Sequence, residues 1–191
     1  MIGSSWVVEA AASGCTSRQA GSVPVETLIE ENARRVGLPA AWIASVVAQE
    51  SGGRNCRKGH AIESVAGAVG AMQLMRPTWA EINRRIGLRS SIEDPAANIA
   101  AGALYLRSMY DRFGYPGAFA AYNAGPGRYS QSLSGRPLPR ETWTYVDAVV
   151  RQIEQTGKQG TARLGARVSV QPDDEKGWSL SMSNAIFILK R

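Results

Sequence analysis

Between Val23 and Thr156, apolar residues recur every three or four positions in runs that glycines and prolines cut to helical length. Val25, Leu28, Ile29, Ala33 and Val36 form one stripe from Pro24, and Gly37 stops it. Pro39 opens a second run with Ile43, Val46, Val47 and Glu50 on one side, ended by Ser51-Gly52-Gly53. A third starts at Pro77, carries Trp79, Ile82, Asn83 and Ile86, and closes at Gly87. Asp94-Pro95 is an N-cap followed by a first-turn proline, and predicts a long helix through Ile99, Leu106, Met109 and Tyr110 to Gly114. Its segment Ala100-Ala101-Gly102-Ala103 is small enough to let another helix approach closely. A short helix is expected over Pro116 to Asn123, then a turn at Gly125-Pro126-Gly127. A last helix carries Trp143, Val146, Val149, Val150 and Ile153. Arg54 to Gly70 reads as an irregular loop, Met72 to Met75 as a short apolar stretch, and no alternating strand pattern appears. The expected fold is all-α.

The flanks differ. Gly157 to Gly177 is charged and poor in large apolar residues, which predicts a flexible linker, while Trp178 to Leu189 regains apolar residues as a weakly packed tail or docking segment. The organisation expected is an N-terminal segment 1–22, one domain over 23–156 and a tail over 157–191. Met1 to Glu9 lacks a positive n-region, and Glu9 interrupts any apolar h-region. Ala10 to Cys15 resembles the small-residue region of an export cleavage site, with Cys15 where a lipoprotein cysteine would sit; a disordered start is the competing reading. No stretch approaches the roughly 20 apolar residues of a membrane span.

The single histidine, His60, and the two cysteines, Cys15 and Cys56, form no metal-ligand motif, so no metal and no cofactor is expected. The cysteines could pair in an oxidising compartment. The net charge of +6 suits a polyanionic partner, but half of it falls outside 23–156 and no basic stripe with interleaved aromatics marks a nucleic-acid surface. Nucleic acid is not expected as a partner.

Glu50 carries the chemistry. It continues the stripe of Ile43, Val46 and Val47, so the helix directs it toward the core side. Apolar surroundings and the negative end of the helix dipole both penalise the anion, which keeps a proton on the carboxyl near neutrality. That is the state needed to protonate a leaving oxygen. A solvated glutamate at a fraying helix end is the competing reading. Glycoside cleavage usually takes two carboxylates. Glu63, Glu93, Asp94 and Glu141 are the other candidates; Asp94 is better explained as a cap, and none insists on a pair.

Five segments occur in order: Ala48-Gln49-Glu50-Ser51-Gly52, Gly67 to Met75 with Gly70-Ala71-Met72-Gln73, Asn98 to Gly102, Ala121-Tyr122-Asn123-Ala124-Gly125, and Glu141 to Val146. Together they resemble the catalytic domain of the soluble lytic transglycosylases, a goose-lysozyme-like family, over about Pro39 to Val150. The resemblance implies a single helical, lysozyme-like catalytic domain with a glycan cleft, acting in the periplasm or cell envelope on peptidoglycan. It makes Glu50 the lone catalytic residue, cutting the β-1,4 bond between N-acetylmuramic acid and N-acetylglucosamine with closure of a 1,6-anhydro ring. Ser51 is implied as a sugar contact, Met72 and Gln73 as cleft lining, Tyr122 as a neighbour of the acid and Asn123 as a glycan amide. Glu141 and Tyr145 are implied near the site. Small members of the family also accompany type IV secretion or conjugation components. Ala71 in place of leucine, Arg76 before Pro77, and Glu63 and Cys56 in the loop depart from the pattern. A hydrolytic muramidase and a non-catalytic wall-binding scaffold of a secretion system are the alternatives.

Overall fold

The computed structural model describes residues 23–165 except 58 and 89, with side chains to residue 158. The readings made for 1–22, Cys15 included, and for 166–191 lie outside the described residues. Seven helices among those described are α1 (Val25–Val36), α2 (Ala40–Ser51), α3 (Arg76–Ile86), α4 (Pro95–Phe113), α5 (Gly117–Ala124), α6 (Pro126–Leu133) and α7 (Arg140–Gly165). The fold is mainly helical, and each stop seen in the sequence is a helix end. Asp94 caps α4, its carboxylate accepting the Ala97 N–H at 3.0 Å.

Three features depart from the sequence reading. The loop after α2 holds two short antiparallel pairs, β1 (Cys56–Arg57) with β2 (His60–Ala61) and β3 (Ala68–Val69) with β4 (Leu74–Met75). Two-residue strands are too short to alternate visibly. The turn at Gly125-Pro126-Gly127 is instead the start of α6, whose Pro126 sits in the first turn. This helix buries no residue, so no apolar stripe announced it. Finally, α7 continues past Thr156 to Gly165, into the stretch read as linker. Its buried side includes Thr142, Val146 and Val149, whereas Trp143 is 56% exposed and leaves the expected stripe.

Two apolar clusters flank α4. The larger joins Ile43, Val46 and Val47 of α2 to Ile99 and Leu106 of α4, Phe119 of α5 and Val149 of α7. The smaller packs Val69 and Leu74 of the hairpin with Ile82, Leu88 and Ile92 on Ala97 and Ala101 of α4. With apolar neighbours on two sides, α4 needs the small residues of Ala100 to Ala103. Their close partner is not a helix: a Cβ at Gly102 would lie 2.7 Å from the Met72 Cβ and nearer still to its sulfur. Met72, fully buried, therefore ties the loop between the hairpin strands to the larger core.

Candidate active site

The site begins at the C-terminal turn of α2. Gly52 takes a left-handed conformation (φ 64°), the region glycine adopts without a Cβ penalty, and its N–H reaches Ala48 O while Gly53 N–H reaches Val47 O. This ends the helix one turn after the buried Val46 and Val47, with Glu50 partly buried on the last turn. Burial pushes the Glu50 carboxyl up from 4.5 to about 7, opposed by the phenol of Tyr145. The direction matches the sequence reading, and desolvation is its main cause.

Two tyrosines interact with this carboxyl. Tyr145, from α7, is raised well above the usual phenol range by burial first and by the nearby Glu50 charge second. Its Oη is buried and completes no hydrogen bond of normal geometry among the described residues. The phenol is close enough to the carboxyl to lower its proton affinity. Tyr122, from α5, is likewise raised by burial and then by Glu50. Its hydroxyl donates to Met72 O at 2.8 Å, and its ring lies 5.2 Å from that of Tyr105.

The loop between β3 and β4 carries Met72 and Gln73. Gln73 has a φ of 46°, a strained value for a side-chain-bearing residue that surrounding bonds must hold. Gln73 Nε2 donates to Gly70 O at 2.9 Å and to Ile62 O at 3.3 Å. Two asparagines fix the residues before it. Asn55 Oδ1 accepts the Ala71 N–H at 3.0 Å, and Asn98 Oδ1 accepts the Met72 N–H at 2.9 Å. Fully buried Asn98 also donates from Nδ2 to Val69 O and Ile92 O at 2.9 and 3.0 Å. Its amide packs where a Cβ on Gly70 (φ 81°) would collide with it, so residue 70 has to be glycine twice over.

The remaining sequence candidates divide. Ser51 is buried, and its hydroxyl donates to Val47 O at 3.0 Å, back into its own helix. Asn123 is partly buried in the last turn of α5, and its amide makes no hydrogen bond among the described residues. Glu141 is exposed in the first turn of α7, four residues before Tyr145 and so on the same side of the helix. The other acids are engaged or outside: Asp94 caps α4, Glu63 pairs with Arg76 at 3.4 Å, and Glu93 is exposed. Asn55 and Asn98 were not among the candidates. Asn98 opens one of the five segments that carry the resemblance, and an amide in the otherwise apolar start of α4 is a second signal for it.

Among the described residues no cluster of His, Cys, Asp and Glu could hold a metal ion, and no helix is long and apolar enough to cross a membrane.

The family model described as Transglycosylase SLT domain matches residues 27–138. That span contains Glu50, Ser51, Met72, Gln73, Tyr122 and Asn123 and stops short of Glu141 and Tyr145. The soluble lytic murein transglycosylase of Escherichia coli (strain K12) is 33% identical over 119 residues, covering 59% of this chain and 18% of that protein. An inactive Glu-to-Gln mutant of the lytic transglycosylase Slt from Pseudomonas aeruginosa superposes with a TM-score of 0.62 at 32% identity, over 71% of this chain and 24% of the other. The 70 kDa soluble lytic transglycosylase SLT70 of Escherichia coli gives 0.57 at 28% identity, over 66% and 23%. The chain thus spans about a fifth to a quarter of the length of these relatives. With a helical arrangement and a motif order that agree with this match, the chain belongs to the transglycosylase SLT domain family.

Proposed function

We propose that this chain is a lytic transglycosylase that cleaves the β-1,4 bond between N-acetylmuramic acid and N-acetylglucosamine in peptidoglycan and leaves a 1,6-anhydromuramoyl end. One feature carries the reading: a single carboxyl, Glu50, lies partly buried at the end of α2 in the company of Tyr122 and Tyr145, and burial raises it to about 7. No second carboxylate shares its surroundings among the described residues. An inverting or retaining hydrolase of the usual kind needs that second group.

Glu50 gives its proton to the glycosidic oxygen as the C1–O bond breaks. The positive charge that develops at C1 is met by the carbonyl oxygen of the sugar's own N-acetyl group, which replaces a protein nucleophile. The resulting Glu50 carboxylate then takes the proton of the muramoyl 6-hydroxyl as that oxygen bonds C1. The proton count closes with the acid restored and no water consumed. Gln73 and Asn123 are the amides proposed to hold the glycan, with Met72 behind Gln73 as its support. Ser51, next to Glu50 on α2, Tyr145, whose phenol acts on the Glu50 carboxyl, and Glu141, on the Tyr145 side of α7, are proposed as contacts of the bound sugar. The setting proposed is the periplasm or cell envelope, where this polymer lies, in wall remodelling or in opening the wall for an envelope-spanning machine.

Mass spectrometry of purified sacculi digested by the protein, with Glu50→Gln as control, tests the reading. Anhydro ends from the parent and intact strands with the variant are expected. Reducing ends would convert the reading to hydrolysis, and equal digestion by both proteins would remove Glu50 from the chemistry.

A further inference from the structure

Tyr122 has one hydroxyl proton, and the structure shows where it goes. The Oη–H donates to Met72 O at 2.8 Å, so the phenol offers Glu50 only oxygen lone pairs. The Met72 carbonyl does not sit there by chance. Its own peptide N–H is held by Asn98 Oδ1 at 2.9 Å, and its side chain fills the notch left by Gly102. The orientation of the Asn98 amide is itself fixed, because Nδ2 must face the Val69 and Ile92 carbonyls while Oδ1 faces an N–H. A chain of bonds therefore runs from the inside of α4, through one loop residue, to the tyrosine over the acid.

We propose that Asn98 and Tyr122 are positioning residues for the acid: Asn98 fixes the Met72 carbonyl, and that carbonyl keeps the Tyr122 hydroxyl turned away from Glu50. The proposal rests on Glu50 being the acid of the reaction described above. Its physical content is a choice between two bonds for one donor. A phenol O–H on the carboxylate favours the charged form and strips the acid of its proton; the same O–H on a backbone carbonyl does not. The titratable groups facing Glu50 are Tyr122 from α5 and Tyr145 from α7, so with Tyr122 turned away Tyr145 is the one phenol left to oppose protonation. Releasing the Met72 carbonyl supplies a second.

The test reads the Glu50 carboxyl directly, by carbon-13 NMR titration of the side-chain carboxyl in the free protein, beside the pH profile of wall digestion. Asn98→Ala is expected to lower the Glu50 titration by about one unit. Adding Tyr122→Phe to Asn98→Ala is expected to restore it, because no hydroxyl remains to turn. A structural defect alone would not be repaired by a second deletion. Tyr122→Phe by itself keeps the ring and does not depend on the stability of the Asn98 variant; it is expected not to raise the Glu50 titration. A rise in that single variant would mean the hydroxyl already serves Glu50, and would overturn the proposal. So would an unchanged titration in folded Asn98→Ala, or a lowered one that Tyr122→Phe leaves lowered. Because the titration is read without substrate, it answers separately from the digestion assay: a protein in which Glu50→Gln still cuts the wall loses the proposed function while the proton arrangement stands or falls alone.

Discussion

The Tyr145 phenol faces the Glu50 carboxyl across the packing of α7 on α2, and its buried oxygen completes no hydrogen bond among the described residues. A carboxyl in this position is pulled two ways. Loss of water raises its proton affinity, and the phenol lowers it; burial wins, and the carboxyl stands at about 7. A stronger phenol bond would make a better carboxylate and a poorer acid.

Tyr145→Phe removes the opposing group, so the Glu50 titration is expected to rise above about 7. A general acid works only while protonated, so activity falls as pH passes its pKa. The alkaline limb of kcat/KM is therefore expected to move to higher pH in the variant. A limb that moves to lower pH would show that the phenol does not stabilise the charged form.

Glu50→Gln is expected to reduce wall digestion by about a hundredfold or more, the contribution of a positioned acid. It is also expected to change stability with a sign that depends on pH. The folded state binds the Glu50 proton more tightly than the unfolded chain, about 7 against 4.5. The parent therefore loses stability as pH rises from about 4.5 through 7, by up to roughly 3 kcal/mol. The glutamine variant lacks this loss. Relative to their difference near pH 4, the urea midpoints are expected to shift in favour of the variant between about pH 4.5 and 7 and to hold that shift above pH 7; a constant offset would exclude a titrating Glu50.

Much of this arrangement is legible in the amino-acid sequence. Helix ends at Gly37, Gly52 and Gly87 and the Asp94-Pro95 start are local signals, and the position of Glu50 follows from the same 3.6-residue period that buries Val46 and Val47. What escaped depends on long-range partners. The Asn98 amide meets Met72 and Val69 more than twenty residues away, and no pattern within a helix foretells such a bond. The outward turn of Trp143 and the burial of Thr142 have the same origin, because the register of α7 is set by what α2 and α5 present to it. The sequence likewise gives no sign that the Ser51 hydroxyl donates to its own helix one turn back, which leaves its oxygen to accept from a sugar hydroxyl.

Two charged side chains outside the acid's surroundings separate burial from mere pairing. Asp94 is 8% exposed and satisfies an N–H of the first turn of α4, so Asp94→Ala is expected to cost about 1 kcal/mol. That corresponds to a fall in Tm of roughly 2–4 °C for a chain of this size. The Glu63–Arg76 pair has side chains half open to water, and Glu63→Gln is expected to cost less than about 1 kcal/mol and to lose most of that in high salt. Calorimetry that ranked the two the other way would mean the ion pair holds the loop more firmly than its exposure allows.

Gly102 sets two backbone effects against each other. In the middle of a helix alanine is favoured over glycine by about 1 kcal/mol. Against that, the added Cβ would lie 2.7 Å from the Met72 Cβ and closer still to the sulfur, in a fully buried site. Met72 has little freedom to retreat, since Asn98 holds its N–H and Tyr122 its carbonyl. Overpacking of this kind costs about 1–3 kcal/mol, so the net effect of Gly102→Ala is expected to be destabilising. The second variant, Gly102→Ala with Met72→Ala, removes the sulfur and Cγ that collide and leaves only the Cβ contact, with the Met72 backbone bonds in place. If the collision is the cause, Met72→Ala should cost less in the Gly102→Ala background than in the parent, and thermal unfolding of the four proteins measures that difference. Gly102→Ala more stable than the parent would mean that the loop moves aside easily, and a loop that moves aside could not fix the carbonyl above the acid.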